Sequence, residues 1–277
     1  MQDLHFNSIY IYIYIRSYSL PVLINGLFCT FNYLNKFMQQ IAIENLFFLD
    51  IETVSGVQHF HLLDDEWKEL WTEKILKSLP ADATAEAYYP KRAAILAEFA
   101  KVVCISTGYL KKENNGLQLR VKSFYSENER ELLENFIKML HQLHLKNSKW
   151  IFTGHNIKEF DIPFLSRRML VNNISIPSYI DFQNMKPWDT PVIDTLHLWR
   201  FGDYKHYTSL KLLAAVLGVP SPKDDIDGSK VGEVFWAEKN LERIAIYCQK
   251  DVVTVANVLL RFKNLPLLTQ EQVIYIG

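Results

Sequence analysis

Residues 47–53 read FFLDIET. The longer run IENLFFLDIET barely alternates in polarity, which is the pattern of a strand buried on both faces. Yet it carries Asp50 and Glu52, separated only by Ile51. Side chains two apart on a strand point to the same side, so both carboxylates project together near the strand's carboxyl end. Unpaired carboxylates in low dielectric are costly, and neighbouring ones repel. Two readings fit. Either the strand has ended and both acids are solvated, with Ser55 and Gly56 making the turn, or a divalent cation relieves the repulsion. Hard oxygen ligands select Mg²⁺ or Mn²⁺.

The pattern on either side predicts the fold. The segment DEWKELWTEKILKSL has Trp67, Leu70, Trp71, Ile75 and Leu79 near helical spacing and reads as an amphipathic cover. A short helix is expected over KRAAILAEFA, then a second strand in KVVCISTGYL. Asn114, Asn115 and Gly116 supply a hairpin turn, and LQLRVKSFYS returns as the third strand. ENERELLENFIKMLHQL is a helix with its acids near the start, where the macrodipole favours them. KWIFTGHN is a fourth strand. DIPFLSRRML is a helix with Pro163 in its first turn. PVIDTLHLWRF runs from a short fifth strand into a helix, TSLKLLAAVLG is a helix closed by Gly218, and PSPKDDIDGSKVGE is a loop. A long last helix covers NLERIAIYCQKDVVTVANVLLRFKNL. Hairpin strands followed by strand–helix alternation predict an α/β fold, a mixed five-stranded sheet flanked by helices.

The 277 residues are 49% hydrophobic and 22% charged, enough for one large core or two small ones, and no second core is legible in the pattern. Thirty basic and 31 acidic residues leave a net charge of −1, which does not announce a nucleic-acid coat and does not exclude a small local site. Cys29, Cys104 and Cys248 are far apart and lie in apolar stretches. They read as buried thiols of a reducing, cytoplasmic compartment, not a disulfide frame or a zinc site. A membrane span needs about 20 predominantly apolar residues, and Arg16, Pro21, Asn25 and Asn32 interrupt the N-terminal run. In a signal peptide the basic residue would precede the apolar run, not follow it. Regular patterns start only after Met38. Residues 1–37 are therefore expected to be an extension outside a domain of residues 38–277, with no stable membrane association.

Two more acids bear on the choice. GHNIKEFDIPFL sets Asp161 at the start of a helix, where it can cap the helix and serve as a ligand at once. Tyr247 and Asp251 lie four apart on the last helix, so phenol and carboxylate share a face.

DIET, GHN…FD.PFL and Y…D stand in the order and approximate spacing of the three motifs of the DEDD 3′–5′ exonucleases. The final Tyr resembles the tyrosine subclass. Over about residues 44–262 the chain is similar to the proofreading domain of family B DNA polymerases and to stand-alone bacterial exonucleases. Each motif alone is weak, and three in order are specific. The resemblance implies a ribonuclease H-like fold. It also implies two divalent ions, Mg²⁺ or Mn²⁺, on Asp50, Glu52, Asp161 and Asp251, with Tyr247 orienting water. A phenol with a pKa near ~10 is a poor base at pH 7, so holding the water by a hydrogen bond suits it better. The implied reaction releases 5′-mononucleotides from the 3′ end of a nucleic acid, single-stranded DNA or RNA.

Other residues carry less. Asn156 matches the family's motif Asn and can touch the terminal nucleotide or simply make a turn. Thr53 and Phe160 can contact or stack on the end base, and Phe160 equally suits a core. Asp194 reads as a helix cap, and the histidines as structural. Arg200, Lys205, His206 and Lys211 form a local basic cluster that can meet phosphates or be a solvated face. A metal-dependent exonuclease is favoured over a non-catalytic binding module, because binding alone does not call for clustered acids beside a polyanion. An RNA 3′-end trimmer on the same fold is the remaining alternative, since telling RNA from DNA depends on contacts to the 2′-OH.

Overall fold

Strand β1, Leu46–Ser55, is the centre of the sheet and is buried along almost its whole length. The computed structural model describes residues 41–114, 116–186, 189–220 and 226–277, so the expectation for residues 1–37 lies outside the described residues. β1 pairs antiparallel with β2, Ala100–Glu113, and parallel with β4, Ile151–Gly154. β2 folds back on β3, Gly116–Tyr125, and β4 pairs with β5, Val192–Asp194. The last strand, β6, Val273–Tyr275, adds parallel to β3, giving the order β5-β4-β1-β2-β3-β6. The sheet is therefore mixed, as expected, but has six strands and not five. The missed strand is three residues long with two of them exposed, so it has no buried face to write a pattern.

Helices cover both faces. Phe47, Leu49 and Ile51 point to one face, where α3, Glu129–Lys146, and α4, Asp161–Val171, bury Leu133, Phe136, Ile162 and Phe164. Asn128 caps α3 by accepting from Glu131 N. Val54, Val103 and Cys104 point to the other face, against Ile244, Ala245 and Cys248 of the 22-residue helix α7, Leu241–Phe262. The pairing shifts between Glu52 and Thr53, where β2 has one residue more than β1. That bulge lets Val103 and Cys104, neighbours in sequence, both face α7. Gly108 sets how close α7 comes: a Cβ there would stand 2.9 Å from Val252 Cγ1.

The remaining helices are α1, Asp65–Ile75, α2, Ala85–Arg92, α5, Thr195–Arg200, and α6, Leu210–Val216. α2 corrects the expectation of a helix beginning at Lys91. Capped by Thr84, it starts six residues earlier, at Ala85, and Pro90 falls in its last turn, where the chain is already turning into a 3₁₀ segment at Ala93–Ile95. The expected loop up to Glu233 contains a helical turn at Val231–Glu233 that runs into a π-helical turn at Val234–Glu238. The hairpin between β2 and β3 closes from Glu113 to Gly116, whose φ of 111° only glycine adopts readily; Asn115 lies outside the described residues.

Candidate active site

Asp50 and Glu52 face α7, on the side of β1 opposite Phe47 and Leu49. Their oxygens and the Cys248 sulfur all lie within 4.8 Å of one another. Cys248 donates to Asp50 Oδ2 at 3.2 Å and to the Asp50 carbonyl at 3.4 Å. Asp161 starts α4 and is 4% exposed. Its Oδ1 accepts from the amide of Ile51 at 3.2 Å, which pins it between the two acids of β1. On α7, the Tyr247 phenol is hydrogen-bonded to the carboxylate of Asp251, one turn on.

Charge shows that these groups form one cluster. Burial first, then the carboxylates of Asp251 and Asp161, hold Asp50 well above the usual carboxylate range. Glu52 is pushed well up by burial and then by Asp50 and Asp251. Asp161 rises to about 8, by burial and by Asp194 and Asp251, against the lowering effect of its own amide and that of Ile51. Tyr247 is raised by burial and by Asp251, Glu52 and Asp50. Among the described residues, Asp50, Glu52 and Asp161 make no ion pair. Two buried acids and the half-buried Asp50, gathered without a protein cation, fit a hard divalent ion. The Cys248 thiol is itself pushed well up, by burial, Cys104, Asp50 and Glu52. In the metal-free protein it keeps its proton and donates to Asp50.

A neighbouring knot fixes the frame. Asp194 caps α5 as expected, accepting from Leu196 and His197, and also accepts from Asn156 N at 2.9 Å and Lys158 N at 3.1 Å. It thus ties β5 to the turn that leads into α4. Asn156 makes that turn, at φ 61°, and its side-chain oxygen is buried without a partner among the described residues. His155 is structural. A carbonyl can only accept, so Nε2–H donates to Thr208 O at 2.9 Å, while Nδ1 lies 3.0 Å from Thr195 Oγ1, whose hydroxyl also reaches Gly154 O at 3.2 Å. Burial keeps this imidazole below its ordinary pKa, hence neutral.

The expected site residues therefore fall into two groups. Asp50, Glu52, Asp161, Tyr247 and Asp251 come together. Thr53 donates its hydroxyl to Ala94 O at 2.6 Å, and Phe160 is half-buried with its ring 5.1 Å from Phe164. Of the basic cluster, Arg200 is taken up by Glu159 at 2.9 Å, while Lys205, His206 and Lys211 are exposed. Sequence reasoning missed Cys248 as a partner of Asp50. Its place in YCQKD, between Tyr247 and Asp251, was the available signal. Removing a group that orients a metal ligand typically costs 10- to 100-fold in metal affinity or activity. Cys248→Ala is therefore expected to raise the Mn²⁺ concentration needed for half-maximal thermal stabilisation about tenfold. An unchanged Mn²⁺ midpoint would make Cys248 packing only.

The family described as predicted 3′–5′ exonucleases related to the exonuclease domain of PolB matches residues 95–272. That span contains Asp161, Tyr247 and Asp251 and begins downstream of Asp50 and Glu52. Among solved structures, the chain is similar to the family B DNA polymerase from the hyperthermophilic archaeon Pyrobaculum calidifontis. Identity is 16% and the TM-score 0.44, over 78% of this chain and 24% of that one, so the chain spans about a quarter of that polymerase. No curated protein matches. Among the described residues no helix is long and apolar enough to cross a membrane.

Proposed function

Because this chain belongs to the family of predicted 3′–5′ exonucleases related to the exonuclease domain of PolB, we propose that it is a metal-dependent exonuclease of the tyrosine subclass. It hydrolyses the terminal phosphodiester at the 3′ end of single-stranded DNA and releases 5′-mononucleotides. The domain is residues 38–277. The observation that carries this reading is the cluster of Asp50, Glu52, Asp161 and Asp251, drawn from β1, α4 and α7, with Tyr247 hydrogen-bonded to Asp251.

Asp50, Glu52, Asp161 and Asp251 would hold two Mg²⁺ or Mn²⁺ ions. When bound, such ions offset the charge of a phosphodiester and make water a better nucleophile near neutral pH. The rest is the work of the chain. Tyr247, its phenol raised above the ordinary range, stays protonated and orients water by a hydrogen bond, not as a base. Cys248 fixes the rotamer of Asp50. The Ile51 amide fixes Asp161. Asn156, whose side-chain oxygen has no partner among the described residues, would contact the terminal nucleotide.

The test is end-labelled single-stranded DNA and RNA incubated with Mg²⁺ or EDTA and resolved on a gel. Mononucleotides released stepwise from DNA only when metal is present support the reading. Faster RNA loss would make it a trimmer of RNA 3′ ends, and binding without cleavage would make it a binding module.

Metal binding also has a pH signature. In the metal-free protein Asp50, Glu52 and Asp161 hold protons to higher pH than in the unfolded chain. The stability they support is complete below their unfolded pKa values, about 4. It is lost as pH rises through their folded values, about 8 for Asp161. The melting temperature in EDTA is thus expected to fall from about pH 5 to about pH 8, and the gain from Mn²⁺ to grow over the same range, since ligands must be deprotonated. A flat or rising EDTA profile would show that the acids are not coupled as described.

A further inference from the structure

Cys248 is fully buried on α7, yet it faces the two acids of β1. Its sulfur lies 3.2 Å from Asp50 Oδ2, and ligand atoms of Asp50, Glu52 and Cys248 all fall within 4.8 Å of one another. Among the described residues this is the only group of three or more His, Cys, Asp or Glu side chains that converges so closely. The sulfur is also held from behind by a row of polar contacts. Cys104, opposite Glu52 in the β1–β2 pairing, is hydrogen-bonded to Cys248. Cys104 Sγ lies 3.8 Å from Ser106 Oγ, and Ser106 Oγ lies 2.7 Å from Ser123 Oγ. Ser123 Oγ accepts from Gln249 Nε2 at 2.9 Å, which closes the row back onto α7, one residue past Cys248. The sulfur is therefore fixed with its free side toward the carboxylates.

A hard ion such as Mg²⁺ takes oxygen ligands and has no use for a sulfur. A soft ion such as Zn²⁺ favours thiolate and accepts carboxylates beside it. In a tetrahedral site with bonds of about 2.3 Å to sulfur and about 2.0 Å to oxygen, the two donors stand about 3.5 Å apart. The Cys248–Asp50 contact is already close to that edge. We propose that Asp50, Glu52 and Cys248 give this site a second, soft-ion mode, in which Zn²⁺ is bound by the two carboxylates and the Cys248 thiolate, with water in the fourth position. As the metal–sulfur bond forms, the thiol proton passes to water. Zn²⁺ then takes the two acids that the hard ions need, so its binding excludes theirs and stops the enzyme. That inhibition rests on the exonuclease reading, and the binding does not. Cysteine spacing carries no sign of such a site, because two of its ligands are carboxylates and Cys248 meets Asp50 across 198 residues.

The test strips the full chain of metal and titrates it with Cd²⁺ as the probe. Cadmium bound to a thiolate absorbs in the ultraviolet by charge transfer from sulfur, and cadmium bound to oxygens alone does not. Cys29 is the third thiol of the chain, so every sample carries Cys29→Ser. One Cd²⁺ per chain is expected, with a charge-transfer band, and excess Mn²⁺ should move its midpoint upward. Cys248→Ser keeps a donor for Asp50 but should abolish the band. Glu52→Gln should raise the Cd²⁺ midpoint about tenfold or more. No band, or a band that survives Cys248→Ser, overturns the site. X-ray absorption of the zinc-loaded wild-type protein decides even if Cys248→Ser fails to fold. A sulfur neighbour at about 2.3 Å is expected, and a shell of oxygens alone overturns the site. Cleavage of single-stranded DNA in Mg²⁺ is read separately, with Zn²⁺ added. Relative to its own rate without Zn²⁺, Cys248→Ser should need about tenfold more Zn²⁺ for half inhibition. Cleavage that Zn²⁺ leaves untouched while the band is present overturns the exclusion. No cleavage in Mg²⁺ with the band intact overturns the exonuclease reading and leaves the soft-ion site standing.

Discussion

Asp50→Asn is expected to be close to inactive, while Tyr247→Phe keeps measurable turnover. The amide at residue 50 removes a negative charge that a divalent ion needs. Several kcal/mol of charge stabilisation correspond to a loss of about 10³-fold or more. The same change relieves repulsion among Asp50, Asp161 and Asp251 in the metal-free protein. Folding in EDTA should therefore be unharmed or slightly improved. Cys248 can still donate to the remaining oxygen. Tyr247→Phe keeps every carboxylate and the packing of the ring, and loses only the hydroxyl. A group that positions a proton or a water contributes about 10²–10⁴ in rate, and with the ligands intact the lower end applies. Single-turnover cleavage of a 3′-labelled strand across a Mn²⁺ titration separates the two. Asp50→Asn cleaving like the wild type at low Mn²⁺ would mean that DIET is only the solvated end of a strand.

The second large effect concerns stability. Arg168 on α4 and Glu129 at the start of α3 form a buried pair at 2.6 Å. Glu129 also accepts from Val102 N at 2.7 Å and from the Asn172 side chain, and Arg168 donates to Ala97 O at 2.8 Å. Arg168→Ala leaves a buried carboxylate without its cation, a change that typically costs 3–5 kcal/mol. Urea unfolding should show this loss with little change in slope. Arg168→Met, which keeps the stem but not the charge, should lose nearly as much. If it unfolds like the wild type, packing and not charge is what Arg168 supplies. Because Asp161 begins the same helix, the folded fraction of Arg168→Ala should also need more Mn²⁺.

Much of this was legible in the sequence because the decisive signals are local. The unbroken apolar run at 46–51 wrote a two-sided strand, and the period of two put Asp50 and Glu52 on one side. The four-residue spacing of Tyr247 and Asp251 foretold their hydrogen bond. What sequence could not carry is contact between distant segments. Cys248 reads as one more apolar position until α7 is laid across β1. Asp194 reads as a cap, and its two further donors come from a turn 36–38 residues earlier. Tyr207 has no periodic neighbours, and its edge-on contact with His155 joins segments 52 residues apart. β6 and the early start of α2 were missed for a different reason. One buries too little to leave a pattern, and the other hides a proline in its final turn.

The central place of β1 has a consequence for how the protein is made. The strand bearing the first two acids leaves the ribosome before its neighbour β4, which follows only after the β2–β3 hairpin and α3. The helix that carries Tyr247 and Asp251 comes later still, and Cys248 meets Asp50 across 198 residues of chain. Closing so long a loop is slow compared with local structure. During translation the acids of β1 therefore wait beside a hairpin without their partners. A site assembled in this order does not have its full set of acids until α7 has docked.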